Sequence, residues 1–215
     1  MPTGLHLHAT RVEAALAAGQ AARSAIAASW ARSVRVHGLD PTRHQRQTRL
    51  TDRELRAAQD GLGALLATAA PHLDRLFQVV GGLGACVVLA DAAGLAVDRR
   101  GNRTEDADFA GAGLWTGAYW SEAEAGTNGI GTCLAEGRPV TIHRDQHFLA
   151  CNIGLSCSSA PIHDVQGRLA AVIDVSTARS DLPDAVGPSM VMTGIALMMV
   201  RLPQAFCTMP AKASK

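Results

Sequence analysis

The stretch from Trp115 to His163 is the densest part of the chain in side chains able to hold a metal, act as nucleophiles or hydrogen-bond a small molecule. It carries Trp115, Trp120, Glu122, Glu124, Asn128, Thr132, Cys133, His143, Asp145, His147, Cys151, Asn152, Cys157, Ser158 and His163. Three chemistries compete for them. Metal binding would use His143, His147 and Cys151, spaced four apart, which would line up on one face of a helix. Thr141-Ile142-His143, however, reads as the end of a strand and Arg144-Asp145-Gln146 as a turn, and the chain has no C-x-x-C pair. No metal or other cofactor is expected.

Nucleophilic catalysis would need Cys133 or Cys157 activated by a nearby imidazole. Both lie in apolar runs, where a cysteine usually packs as a small hydrophobe. The third chemistry is ligand binding. Loops folded over a small sheet make a cavity lined by apolar and aromatic groups with a few hydrogen-bonding side chains. Trp115, Trp120, Asn128, Thr132, His143, Phe148 and Ser158 fit that inventory. The competing assignment makes Trp115 and Trp120 core plugs and His143 a surface residue.

The elements that must position these residues follow from periodicity. An Ala-rich helix is predicted from about Arg11 to Val36, with Ile26, Trp30 and Val34 on one stripe and a stop near Gly38. Thr51-Asp52-Arg53-Glu54 is a capping box, with Leu50 and Leu55 at the staple positions. The helical stripe that follows is expected to be interrupted or kinked at Pro71 and to end at Gly81-Gly82. The period then changes. Ala85–Ala90 and Leu95–Asp98 form a hairpin signal around Asp91-Ala92-Ala93-Gly94. A short helix is predicted around Phe109, a second over Thr127–Glu136, and a strand over Val140–His143. Cys157–His163 and Leu169–Ser176 make a second hairpin, and a last helix runs from about Pro183 to Arg201. Hairpins imply antiparallel pairing and the helices cover a face, so the class is α+β.

Composition sets the outer limits. The 215 residues are 47% hydrophobic and 18% charged, which suits a buried core and argues against disorder. Aromatics are only 4%, so the core is built from Ala, Val, Leu and Ile. A formal net charge of +1 gives no overall nucleic-acid footprint. The arginines between Arg32 and Arg56 read as a solvated helix face and loop, with a phosphate or partner contact as the alternative. Five cysteines, no signal-peptide pattern and no apolar run of membrane-spanning length lead to the expectation of a cytoplasmic, thiol-reduced protein without a membrane partner.

Four stretches then carry a recognisable pattern: Gly117–Glu122 (GAYWSE), Ala125–Thr132 (AGTNGIGT), Thr141–Phe148 (TIHRDQHF) and Leu155–Ile162 (LSCSSAPI). Together with Ser29-Trp30-x-Arg32-Ser33, His37–Pro41 and Ala171–Ser176, the segment from Ala22 to Arg179 resembles the N-terminal GAF-type sensor region of the acetoin-catabolism regulator group of sigma-54-dependent activators. The resemblance implies a GAF fold: a central antiparallel sheet with N- and C-terminal helices on one face and a ligand cavity on the other. It also implies sensing of a small organic ligand of the alcohol, diol or ketone class, passed on to a regulatory protein partner. On this reading residues 1–50 are a helical extension, 51–202 the sensor domain and 203–215 a flexible tail. The 215 residues contain no G-x-x-x-x-G-K-[ST] loop and no helix-turn-helix, so a standalone sensor or a relic of a longer activator is expected. Some GAF-fold proteins are cysteine-based reductases and others metal-based sensors; Cys133, Cys151 and Cys157 keep those alternatives open. A final helix that is apolar nearly all round, with Ile195, Leu197, Met198, Met199 and Val200, suggests a homodimer held by helices.

Overall fold

The computed structural model describes residues 4–43 and 48–179. The expected last helix from Pro183 to Arg201 and the tail 203–215 lie outside those residues.

The single N-terminal helix predicted over Arg11–Val36 is two, α1 (Gly4–Ala17) and α2 (Ala25–Arg35). Alanine favours helix on both sides, so propensity alone hides the break. Gly19 makes it by taking φ +65°, a left-handed conformation open to a residue without Cβ. Ser24 then caps α2, accepting a hydrogen bond from the Ala27 amide. Helix α3 (Asp52–Gly61) starts on the predicted capping box: Thr51 accepts from the Glu54 amide and the Glu54 carboxylate accepts from Thr51. Helix α4 (Gly63–Val80) contains Pro71 and continues through it. The interruption falls earlier, where Gly61 and Gly63 flank Leu62 and two weak helix formers meet.

Five strands follow, β1 (Ala85–Asp91), β2 (Ala96–Arg100), β3 (Val140–His143), β4 (Ser156–His163) and β5 (Leu169–Thr177). They form one sheet in the order β2-β1-β5-β4-β3, antiparallel at every step. Between β2 and β3 lie α5 (Asp106–Gly111), α6 (Glu122–Ala125) and α7 (Gly129–Glu136).

The two faces of the sheet differ in chemistry. Val87, Leu89, Val97, Ala160 and Ile173 meet Leu65, Leu73, Leu76 and Val80 of α4 in a wholly apolar layer. Each leucine buried there stabilises the fold by about 1.5–3 kcal/mol. Cys86, Val88, Ala90, Cys157 and Val172 project from the opposite face beneath Phe109, Trp120, Ile130 and Cys133. Helices α1 and α2 do not share α4's side. Val12, Ala15 and Trp30 pack with Leu39, Phe148 and Leu149, outside that second layer. Among the described residues no helix is long and apolar enough to cross a membrane.

Candidate functional site

Helix α2 is fastened to the rest of the fold by polar side chains, not by apolar packing alone. Ser29 Oγ donates to Glu122 Oε1 at 2.5 Å and lies 2.6 Å from Thr127 Oγ1 and 3.3 Å from Thr132 Oγ1. Arg32 meets the same carboxylate from the side, Nε to Oε2 and Nη2 to Oε1, both at 2.8 Å. Its Nη1 reaches Glu136 Oε1 at 2.9 Å. Glu122 is buried, so the fork of Arg32 supplies the opposite charge that a desolvated carboxylate requires. Asn128 organises the turn beside it. Its Oδ1 accepts from the Gly131 amide as the N-cap of α7, and its Nδ2 donates to the carbonyls of Trp120 and Gly126. All its polar atoms are used within the fold.

Beneath α7 the sheet itself carries a buried polar chain. Asp174 of β5 accepts from Ser159 at 2.5 Å and from Ser176 at 2.6 Å. Ser176 lies 3.0 Å from the Cys157 sulfur, which is 3.4 Å from His147 Nε2, and His147 Nδ1 is 2.9 Å from the Arg144 carbonyl. Burial raises the Asp174 carboxyl to about 6, partly offset by the two serine hydroxyls. It lowers His147 to about 4 and pushes the Cys157 thiol well above its usual value. Cys157 and His147 therefore touch as neutral groups, the reverse of a thiolate–imidazolium pair. Burial raises Cys86 and Cys133 to about 12 and raises Cys151 as well. None of the four described thiols is poised as a nucleophile.

At the other end of this face, Arg99 of β2 stands opposite Val88 in the ladder. Its side chain is 9% exposed and donates from Nη1 to Asp106 Oδ1 at 2.8 Å. The guanidinium carbon lies 4.3 Å from the centroid of Trp115 and 5.4 Å from that of Phe109.

The candidate ligand contacts are distributed as follows. Trp120, Asn128 and Thr132 come together under α2, and Trp115 stacks on Arg99. Phe148 belongs to the cluster beneath α1 and α2. His143 and Ser158 project from the opposite face of the sheet, where His143 Nδ1 meets Ser156 Oγ at 2.9 Å and Ser158 Oγ lies 3.2 Å from Thr141. The alternative metal set does not converge either: His143 and His147 are separated by a 3₁₀ turn and Cys151 is exposed. Among the described residues no three His, Cys, Asp or Glu side chains are grouped to hold an ion. Arg99, Asp174 and Ser176 were not among the candidates. The signals for them were an acid inside the apolar run Ala171–Ser176 and an arginine doublet closing a strand.

The family described as MimR, N-terminal domain, matches residues 5–191. The chain is 41% identical over 174 residues to the acetoin catabolism regulatory protein of Cupriavidus necator, covering 81% of this chain and 25% of that protein. It is 31% identical over 154 residues to the acetoin dehydrogenase operon transcriptional activator AcoR of Bacillus subtilis, covering 72% and 25%. With the propane 2-monooxygenase operon transcriptional activator MimR of Mycolicibacterium smegmatis it shares 38% over 114 residues, covering 52% and 20%. The chain thus spans about a quarter of the length of the regulators it matches. In fold it is similar to a chain of the E. coli DhaR(N)–DhaL complex, with a TM-score of 0.73 at 17% identity over 82% of this chain and 59% of that one.

Proposed function

Because the chain belongs to the family of MimR N-terminal domains, we propose that it is the small-molecule-sensing part of a ligand-responsive transcription regulator, taking ligands of the alcohol, diol or ketone class. The observation that carries this reading is the 41% identity to a regulator of acetoin catabolism, confined to a quarter of that protein. The fold supports it. One face of the sheet is sealed by α4 with apolar groups alone, whereas the other adds the buried polar side chains of Ser159, Asp174 and Ser176 to its apolar ones. Trp115 and Trp120 are the proposed aromatic walls. Residues 51–202 form the sensing body on this reading, and residues 1–50 the extension that registers its state through the Ser29–Arg32–Glu122 clasp. The partner is a regulatory protein, by analogy with the DhaR(N)–DhaL complex, and the sensor acts in the cytoplasm as a homodimer held by helices.

A thermal-shift screen with short alcohols, diols, ketones and aldehydes tests the reading. A concentration-dependent rise in Tm is expected for at least one class, and a flat response to all of them sinks it. Light scattering at micromolar concentration tests assembly: a mass of twice 22.4 kDa is expected, and a mass of 22.4 kDa removes the dimer.

A further inference from the structure

Between α1 and α2 the molecule leaves a cleft of about 520 Å³, walled by Ala14, Ala15 and Ala18 on one side and by Ile26 and Trp30 on the other, with Arg11 and Gln146 beside them. Polar groups along it are engaged. The Trp30 indole donates to the Gln146 carbonyl at 2.8 Å, Gln146 Oε1 accepts from the His143 amide at 2.8 Å, and Ser24 Oγ accepts from the Ala27 amide at 3.3 Å. Arg11 is paired with Asp145. What the cleft offers an occupant is small and apolar: alanine methyls beside a half-buried isoleucine. An apolar knob suits such a hole better than a polar molecule, which would leave its own groups unmet there. The knob is on the same helix. Leu7 is 61% exposed and lies on the stripe Leu7, Arg11, Ala14 and Ala18, whose spacing of four, three and four keeps to one face of a helix. The Ala18 amide donates to the Ala14 carbonyl, so helical geometry continues to the end of the stripe. Leu7 cannot fill the hole in its own chain, because Ala14 and Ala18 lie about 10 and 16 Å farther along the axis.

We propose that this stripe of α1 is a two-fold interface, in which Leu7 of one copy fills the alanine-walled cleft of a second copy. This rests on the homodimer proposed above and names the surface that makes it. With two α1 helices antiparallel about an axis at the level between Val12 and Glu13, Leu7 falls opposite the partner's Ala18 and Arg11 opposite the partner's Ala14. Both contacts recur on the other side of the axis, as a self-complementary patch requires. A large residue against a small one at each step lets the helices pack ridge into groove. Charge agrees with the pairing. Each Arg11 arrives already paired with Asp145, so two bare cations do not meet beside the axis. Antiparallel packing also sets the positive N-terminal end of each helix beside the negative C-terminal end of the other. The second wall of the cleft is α2, the helix that Ser29 and Arg32 fasten to Glu122. A copy seated there touches both helices, which joins the pairing of two chains to the clasp.

The test uses the full chain carrying Cys151→Ser and Cys207→Ser, so that neither of those thiols competes. Light scattering across a dilution series is expected to give twice 22.4 kDa for this protein. Leu7→Glu is expected to weaken self-association by about tenfold or more, because each dimer contains the contact twice. Its far-UV circular dichroism is expected to stay unchanged, since Leu7 is exposed in the single chain. Ala14→Cys, on the stripe and a residue and a half from the axis, is expected to form a disulfide-linked dimer under mild oxidation. Glu13→Cys, equally near the axis but turned away from the stripe, is expected to stay unlinked. A dimer that keeps its affinity in Leu7→Glu overturns the assignment and leaves the homodimer standing. So does linkage at Glu13→Cys equal to that at Ala14→Cys, or a dimeric Ala14→Cys protein that does not link. A monomeric parent removes the homodimer and this assignment together; shielding of Ala14→Cys from a soluble thiol reagent in that monomer would mark the cleft as filled from within the same chain.

Discussion

Arg32 of α2 holds Glu122 of α6 through two parallel hydrogen bonds of 2.8 Å, across 90 positions of sequence. The pair closes a node in which one serine and two threonines converge on the same place. Removing either partner leaves the other without its counter-charge, and the carboxylate suffers most because it is the buried one. Arg32→Ala is expected to destabilise the protein by about 2–4 kcal/mol in urea unfolding. Hydrogen exchange is expected to speed up in α2 more than in β1. Unchanged α2 protection in this variant would show that apolar contacts, not the clasp, hold the helix.

Two glycines predict opposite outcomes for the same substitution. A Cβ on Gly131 would stand 2.5 Å from the Trp120 carbonyl oxygen and 2.6 Å from the Glu122 amide nitrogen, backbone atoms that cannot rotate away. Gly131→Ala is therefore expected to cost about 1–3 kcal/mol. Gly63, at the first position of α4, has nothing within 4 Å, and Gly63→Ala is expected to stabilise by about 0.5 kcal/mol. Chemical denaturation of the two variants side by side checks both signs; a stable Gly131→Ala protein would contradict the close approach of α7 to the turn before it.

Asp174 and His147 give opposing pH dependences. The carboxyl of Asp174, raised to about 6 by burial, keeps its proton in the folded state where the unfolded chain has released it. Its stabilising contribution is complete below about pH 4 and is lost as pH rises through about 6. His147, lowered to about 4, stays neutral when folded. Its contribution is present above about pH 6.5 and is lost as pH falls through about 4. Between about pH 4 and 6 the two slopes cancel in part. His147→Gln should therefore lose stability as pH rises across that range, and Asp174→Asn should gain it. Superimposable pH profiles for both variants and the parent would refute the assignment.

Thiol labelling should separate the cysteines. Cys86, Cys133 and Cys157 are buried and Cys151 is exposed. In a Cys207→Ser protein, one thiol should react with a water-soluble disulfide reagent under native conditions, and mass mapping should place it at Cys151. The other three should react only on unfolding. Rapid native labelling of Cys157 would mean that its contact with His147 opens easily.

The elements were legible wherever local chemistry decides them. The capping box at Thr51 and Glu54 formed as read, and the hairpin strands took the pairings that their apolar runs and intervening turns implied. Helix breaks were less legible. Gly19 and the Gly61–Gly63 pair end helices that alanine and leucine periodicity carry onward, whereas Pro71 is accommodated. The polar residues posed a different problem, because their partners lie far away in sequence. Ser29 reaches Glu122 over 93 positions, and nothing local to either predicts the other. The strand-like run Cys157–His163 placed Ser158 correctly on a strand but did not say which face it occupies. Its neighbours Cys157 and Ser159, not Ser158, face α7.

The place of β5 in the sheet has a consequence for how the protein is made. This strand is the last in the described sequence yet sits at the centre, pairing with β1 on one side and β4 on the other. Until residue 177 has left the ribosome, the β1–β2 and β3–β4 ribbons each expose an unpaired inner edge, and the sheet has no way to join them. Assembly of the sheet therefore waits for one late closure that pairs β1 with β5, whose partners lie 80 to 92 positions apart, a long-range step of the kind that slows folding. A ribosome stalled before β5 would hold two sticky hairpins, and one stalled well beyond it a finished sheet.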